Sequence, residues 1–136
     1  MKFKNHIVVS NDGAEYETKS FTGTHTVIGD EPVDHGGTDK GPTAHQYLLS
    51  ALGMCIAITL RMYANRKKWD LQKVIVSLNM EKNPEDSGES TIIYKKIELL
   101  GNLDEDQKKR LMIISEKCPV HKTLLGTIHI RELNTL

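Results

Sequence analysis

Apolar residues recur at three- and four-residue spacing through the middle of the chain, between Gly41 and Trp69. This spacing predicts a long amphipathic helix, which begins near Gly41-Pro42-Thr43 and ends with basic residues at 66–68. The predicted buried stripe consists of Leu48, Leu52, Cys55, Ile56, Thr59, Met62 and Tyr63. A thiol, that of Cys55, therefore lies on the apolar face, and Trp69 is expected to anchor the helix end in the core.

Three short β-rich segments precede this helix. Residues 3–9 and 16–21 predict two strands joined as a hairpin at Asn11-Asp12-Gly13, whose residue types tolerate positive φ. Residues 24–28 predict a third strand. The composition then changes to Gly, Asp and Pro, and residues 29–41 are expected to form an ordered loop that leads into the helix.

After the helix, apolar and polar residues alternate in two further segments. Val74 to Met80 predicts one strand and Ile93 to Leu99 another, and the turn residues at 83–88 join them as a second hairpin. Asp104 is a candidate N-cap, because Gln107 stands three residues later to complete a capping box. The inner face of this second helix is predicted to contain Leu111, Ile114 and Cys118.

Proline changes the pattern at residue 119. Pro119 cannot continue the helix normally, but it can open a short helical turn over 119–123 with Cys118 at its N-cap. Ile128 and Ile130 alternate in a predicted last strand that ends near Leu133. The resulting order, βββ-α-ββ-α-β, predicts an α+β fold with helices on an antiparallel sheet, in a single domain over residues 1–136.

Charge and composition exclude several classes of function. The chain of 136 residues has 18 Lys and Arg against 18 Asp and Glu, so no charge excess favours nucleic acid or an anionic membrane as a partner. The most apolar run, Tyr47 to Leu60, is shorter than the about 20 residues that span a bilayer, and the N-terminus lacks the apolar core of a signal peptide. The two cysteines are then expected to be reduced thiols in a soluble, cytoplasmic protein.

Cys118 is the first candidate for chemistry. At a helix N-terminus, unpaired backbone N–H groups and the positive end of the dipole favour a thiolate, and His121 could add positive charge. The alternative is a small buried residue at the end of a core helix, with His121 at the surface. The residues themselves leave both interpretations open.

Cys55 can be read as an inert thiol in a packed helix, since burial raises the pKa of a thiol. Gly53 nearby is unusual, because a glycine inside a helix costs roughly 1 kcal/mol relative to alanine, and it suggests close packing of another element.

No metal site or cofactor is expected, because the histidines lack metal-ligand spacing and the glycines do not form a phosphate-binding loop. The histidines are His6, His25, His35, His45, His121 and His129.

Several motifs follow one another in the order of a known family. They are Asp30-Glu31-Pro32, Gly36-Gly37-Thr38-Asp39-x-Gly41-Pro42, Leu48-Leu49-Ser50-Ala51-Leu52-Gly53-x-Cys55, Thr59-Leu60-Arg61-Met62-Tyr63-Ala64 and Cys118-Pro119-Val120-His121. With these motifs the chain resembles the OsmC/Ohr family of thiol-dependent hydroperoxide reductases, and in particular its broad OsmC-like branch. The resemblance implies an OsmC-like fold with two central helices, in an intertwined homodimer whose two sites are formed by both subunits.

The resemblance also implies roles for the two cysteines. Cys55 would be the peroxidatic thiol and Cys118 the resolving one, which reverses their order from the residues alone. Cys55 would attack an organic hydroperoxide and become a sulfenic acid, Cys118 would condense with it to a disulfide, and an external dithiol would reduce that disulfide.

The chain departs from the characterised peroxidases in the groups around the thiol. In those enzymes an arginine from the N-terminal segment and a glutamate early in the cysteine helix support the thiolate. Here no arginine precedes Arg61, and Gln46 stands where the branch often has glutamate. A second hypothesis therefore stands beside the peroxidase: an OsmC-fold protein, weakly active or inactive, that senses redox state or binds an apolar ligand.

Overall fold

Among residues 6–13 and 15–133, which the computed structural model describes, five β-strands and three α-helices follow one another along the chain. The strands are β1 Val8–Ser10, β2 Thr18–Phe21, β3 Thr26–Gly29, β4 Asp70–Lys82 and β5 Thr91–Asn102, and the helices are α1 Ala44–Lys67, α2 Glu105–Ser115 and α3 Pro119–Leu125. The predicted α+β class with antiparallel pairing is confirmed. These elements belong to two compact units, one up to Leu48 together with the segment from Ile130, the other from Leu49 to His129.

The first unit contains a three-stranded antiparallel sheet in the order β1-β2-β3. Val8 lies opposite Phe21, and Thr18 lies opposite Gly29. The predicted hairpin is confirmed, and Gly13 in its turn has φ of 90°, which glycine adopts without strain. The first strand begins at Val8, and residues 3–5 of the predicted segment lie outside the described residues.

A buried carboxylate organises the loop that was predicted between β3 and α1. Asp30 accepts hydrogen bonds from the backbone N–H groups of Glu31 and Lys40 at 2.7 and 3.1 Å and from Thr38 Oγ1 at 2.7 Å. These bonds, with that of Thr38 Oγ1 the largest, lower the pKa of Asp30 to about 2. A Cβ on Gly37 would overlap the carbonyl group of Glu31, so glycine is required there. The loop is therefore ordered, as predicted.

The start of α1 is capped by reciprocal side-chain bonds. Gln46 N–H donates to Thr43 Oγ1 at 3.2 Å, and Gln46 Oε1 accepts from the Thr43 N–H at 2.9 Å, which is the arrangement of a capping box. The Tyr47 hydroxyl donates to the carbonyl of Ile28 at 2.5 Å and ties this first turn to β3.

In the second unit, β4 and β5 form a long antiparallel hairpin, as predicted, with a bulge between Leu71 and Lys73. Gly53 of α1 lies directly against β4: a Cβ there would come within 2.8 Å of Leu78 Cδ1. The expected close approach at Gly53 is thus confirmed. At the other end of α1, Trp69 packs edge-on against Tyr63, with ring centroids 5.5 Å apart, and it borders the core as predicted.

The buried face of α1 differs in part from the predicted stripe. Leu52, Ile56 and Tyr63 are buried as expected, but Leu60 is buried too, and Leu48 and Met62, predicted to be buried, are 39% and 67% exposed. The buried positions follow steps of three and four residues from Leu52 to Ala64. Apolar residues occur on both sides of α1, so its sequence alone does not define one face.

Exposed apolar residues give α1 an unusual surface. The sequence predicted no membrane span, because the apolar run from Tyr47 to Leu60 is short. The whole helix is longer than this run, and among the described helices it alone is long and apolar enough to cross a membrane. The core helix of a soluble protein meets the same criterion, which therefore decides nothing about location.

The C-terminal part confirms one prediction and corrects another. Asp104 caps α2 in a complete capping box with Gln107, and Leu111, Ile114 and Cys118 are buried as predicted. The predicted last strand is wrong: residues 127–133 form no strand, and α3 is the last regular element described. Ile130 is 95% exposed, so burial of its side chain does not stabilise a strand there.

Candidate thiol site

Two cysteines that lie far apart in the sequence meet in the second unit. Cys55 lies in the middle of α1 and is partly buried, whereas Cys118 lies between α2 and α3 and is fully buried. Both are free thiols, and Cys55 lies close enough to Cys118 to raise its pKa. The fold therefore brings the two thiols near each other, although nothing in the spacing of the two residues indicated it.

The local structure at Cys118 is the one that the sequence predicts. Cys118 is the N-cap of α3, with φ of −60° and ψ of 133°, and Pro119 occupies the first helical position. Its Sγ accepts a hydrogen bond from the backbone N–H of His121 at 3.4 Å.

The electrostatic balance at Cys118 is different from the one that a helix N-terminus alone would give. Burial raises the pKa of the Cys118 thiol, and the influence of Cys55 raises it further, against a smaller lowering by the backbone N–H groups of His121 and Val120. Both sequence interpretations thus hold in part: Cys118 caps a helix, yet it is a buried, protonated thiol.

Three polar side chains near Cys118 contact one another in a row that the sequence did not indicate: His121, Glu116 and Lys95. His121 Nε2 is 3.0 Å from Glu116 Oε2, and Glu116 Oε1 is 2.9 Å from Lys95 Nζ. The hydrogen bond from Lys95 is the main cause that lowers the pKa of Glu116, so Glu116 is a carboxylate at neutral pH. Glu116 lies two residues before Cys118 and could have been suspected from that, whereas Lys95 comes from β5 and has no local signal.

His121 also lines a cavity of about 180 Å³ between α1, β5 and α3. The other lining residues are Leu52, Thr91, Ile93, Lys95, Leu124 and Leu125. Leu52 is one helical turn before Cys55, and His121 is one turn after Cys118, so the cavity adjoins both thiol-bearing segments. Its walls are mostly aliphatic, which suits a small organic molecule better than a strongly hydrated ion.

Arg61, which is the first arginine of the chain, and Gln46, which stands where the branch often has glutamate, both have structural contacts away from the thiols. The Arg61 guanidinium donates to the carbonyls of Leu71 and Gln72, where it fixes the start of β4. The Gln46 side chain caps α1. Within residues 6–13 and 15–133, no three His, Cys, Asp or Glu side chains are grouped closely enough to hold a metal ion.

The fold and the site together define a small α+β protein with one free thiol on its long helix and a second at the start of α3. Comparison with protein families matches residues 37–132 to the family described as OsmC-like protein. The chain belongs to this family, as its sequence motifs indicated.

Solved structures of similar fold agree with this assignment. An OsmC-like protein from Mycoplasma pneumoniae is 24% identical with a TM-score of 0.76, and the match covers 93% of this chain and 90% of that one. A putative osmotic stress induced and detoxification response protein from Psychrobacter arcticus is 18% identical, with a TM-score of 0.73 and coverage of 95% and 91%. The organic hydroperoxide resistance protein OhrB of Bacillus subtilis is 18% identical, with a TM-score of 0.64 and coverage of 91% and 92%. Sequence comparison with curated proteins gives no match.

Proposed function

We propose that this protein reduces organic hydroperoxides through its two thiols, with Cys55 as the peroxidatic and Cys118 as the resolving cysteine. The observation that carries the proposal is that the fold brings Cys55, which packs against the core, close enough to the core residue Cys118 to affect its pKa. Membership of the OsmC-like family supports it, as does the fold shared with proteins that are named for hydroperoxide resistance.

The environments of the thiols favour this division of roles. A peroxidatic cysteine must meet its substrate as a thiolate, and Cys118 is fully buried with a raised pKa, which makes it a poor attacking group. Cys55 is only partly buried, so a substrate can reach its sulfur more readily than that of Cys118. Cys118 is then the nearest thiol once Cys55 has been oxidised.

The reaction balances in three steps. The Cys55 thiolate attacks the terminal oxygen of ROOH, the O–O bond breaks, and the alkoxide leaves as ROH with a proton, which leaves Cys55 as a sulfenic acid. The sulfur of Cys118 displaces the hydroxyl group, which departs as water, and a disulfide forms. An external dithiol then restores both thiols by exchange and becomes a disulfide itself.

The test is peroxide consumption by the purified protein with dihydrolipoamide, compared between cumene hydroperoxide and hydrogen peroxide. We expect turnover with the organic substrate, none in Cys55→Ser, and a single oxidation without disulfide in Cys118→Ser. Intact mass should show the loss of two hydrogens per wild-type chain after oxidation. Peroxide consumption while Cys55 stays free would contradict the assignment.

A binding or redox-sensing role is the second candidate, and a specific observation favours it. Arg61 and Gln46 are engaged elsewhere, as described above, and the cavity beside the thiols has aliphatic walls. If wild-type protein and Cys55→Ser bind a fluorescent apolar probe equally well, and neither turns over peroxide, this role replaces the peroxidase.

The remaining part of the proposal concerns assembly and location. We propose a homodimer in the cytoplasm, formed through the exposed apolar side of α1. Met54, Ile58 and Met62 lie there at four-residue spacing and are 63%, 58% and 67% exposed. Such a continuous apolar stripe is unfavourable in water and is typical of a surface that a protein partner covers.

A further inference from the structure

A carboxylate and an imidazole that contact each other flank the buried thiol Cys118 in the sequence. The segment 116–121 contains all three groups: Glu116 precedes the thiol, and His121 follows it at the third position of α3. In a helix, the side chain at this third position reaches back toward the N-cap residue. The ring of His121 does so here, because its Nε2 contacts Glu116 on the far side of Cys118 in the sequence, at 3.0 Å.

The contacts of His121 determine which of its nitrogens can accept a proton. A carboxylate only accepts hydrogen bonds, so Nε2 of His121 carries a proton toward Glu116, and the lone pair of the neutral ring is then on Nδ1. The His121 side chain is 15% exposed and lines the cavity, and its own backbone N–H donates to Cys118 Sγ. A proton acceptor, a buried thiol and a cavity are therefore adjacent.

We infer that His121 takes the proton of the Cys118 thiol when Cys118 attacks oxidised Cys55, and that Glu116 and Lys95 position His121 for this step. The inference rests on the proposed function for its biological reaction, but the proton transfer applies to any attack by Cys118 on a sulfur of Cys55. A buried thiol needs such a base, because on its own it is protonated near neutrality.

The charges around His121 are consistent with this role. β5 contributes Lys95 and the α2–α3 connection contributes Glu116, while α1 contributes only the uncharged Leu52 to the cavity that His121 lines. Lys95 fixes one oxygen of Glu116 and leaves the other for His121. The imidazolium that forms when the ring takes a proton is then stabilised by the carboxylate.

The step is balanced for a sulfenic acid. Cys118 Sγ forms a bond to Cys55 Sγ as its proton passes to His121 Nδ1, and the S–O bond of Cys55 breaks. The departing hydroxide takes that proton from His121 and leaves as water. For a mixed disulfide on Cys55, the S–S bond to the small thiol breaks instead, the thiolate leaves, and the proton passes from His121 to solvent.

The experiment uses Ellman's reagent, so that it does not depend on peroxide. Cys55 attacks the reagent and releases one thionitrobenzoate; Cys118 then attacks the mixed disulfide and releases a second, so that absorbance rises in two phases. At neutral pH we expect the second phase to be about 100-fold slower in His121→Gln, with the first phase unchanged. Glu116→Gln should show a smaller loss in the same phase. Glu98→Gln, which removes the carboxylate that pairs with Lys96 at 3.6 Å on β5, should be unaffected.

The pH dependence separates catalysis from a structural effect. Above the pH at which Cys118 ionises by itself, no base is needed, so the deficit of His121→Gln should disappear. A deficit that is equal at all pH values, an unchanged second phase at neutral pH, or a wild-type protein that releases only one equivalent would each overturn the inference. A wild-type protein with two normal phases but no reaction with cumene hydroperoxide would overturn the proposed function and leave this inference standing.

Discussion

At the scale of single residues, Cys118 shows two opposing effects on one thiol. The N-terminus of a helix stabilises a negative charge by about 0.3–1 kcal/mol at an exposed position, whereas full burial shifts pKa values by up to about 3–5 units against the charged form. Cys118 is fully buried, and its pKa is raised. The sequence reveals the cap but not the burial, because burial depends on residues from α1 and β5 that are distant in the sequence.

The first prediction concerns the ionisation of Cys118. In Cys55→Ala, the influence of the other thiol is removed but burial, the larger cause, remains. The rate of alkylation by iodoacetamide should therefore rise with a midpoint above the value of a free cysteine, about 8.5. The measurement is the pH-rate profile, with N-acetylcysteine as the reference for the reagent. A midpoint at or below that of the reference would show that the helix N-terminus dominates.

The second prediction concerns Asp30, which holds the loop before α1. Its pKa is lowered to about 2, below that of an unfolded aspartate, so the stabilisation it gives is fully present above about pH 4 and is lost as the pH falls through about 2. We expect Asp30→Asn to be less stable than wild type at neutral pH, and the difference to shrink as the pH falls below 4. Urea unfolding over this pH range measures it.

Asp34→Asn is the matched control for Asp30→Asn. Asp34 lies in the same loop, but its side chain is 79% exposed, and it contacts His35 at 3.2 Å. Its substitution should leave the pH dependence of stability unchanged. A constant gap between Asp30→Asn and wild type at all pH values would contradict the prediction.

At the scale of elements, local signals predicted structure well wherever the partners are close in sequence. The capping box of Asp104 and Gln107, the N-cap at Cys118 and both hairpins depend on contacts within a few residues or across one turn, and they are found as predicted. The predicted strand near Ile130 failed because a strand needs a partner, and alternation in the sequence supplies none. The contact of Lys95 with Glu116 joins β5 to the end of α2, and no pattern of neighbouring residues in the sequence indicates it.

The third prediction tests the packing of α1 against β4 at Gly53. Alanine improves helix propensity over glycine by about 1 kcal/mol, but its Cβ would come within 2.8 Å of Leu78 Cδ1. We expect Gly53→Ala to gain less than the propensity alone, or to lose stability. In the Leu78→Ala background the clash is absent, so the same change should give the full gain of about 1 kcal/mol. Chemical denaturation of the four variants measures the coupling, and equal effects in both backgrounds would contradict it.

At the scale of the whole molecule, the two sides of α1 differ in what covers them. Leu52, Ile56 and Leu60 are buried within the second unit, while Met54, Ile58 and Met62 are exposed. The sequence could not separate the two sides, because both are apolar and one chain supplies a cover for only one of them. The resemblance to the OsmC/Ohr family implies that a second copy of the chain covers the other side, and the exposed stripe is an independent reason to propose it.

The last prediction follows from this stripe. A lysine in place of Ile58 replaces an exposed apolar side chain, and in a monomer such a surface change alters stability by no more than about 0.5 kcal/mol. In a dimer formed through this side, the same charge would be buried without a partner, which costs several kcal/mol and weakens association. We expect wild type and Ile58→Leu to sediment as dimers at low micromolar concentration and Ile58→Lys to dissociate. Dissociation should be accompanied by a lower melting temperature, since subunits of this kind are stabilised by association. A wild-type protein that sediments as a folded monomer would contradict the dimer, and an Ile58→Lys variant that remains dimeric would place the interface elsewhere on the chain.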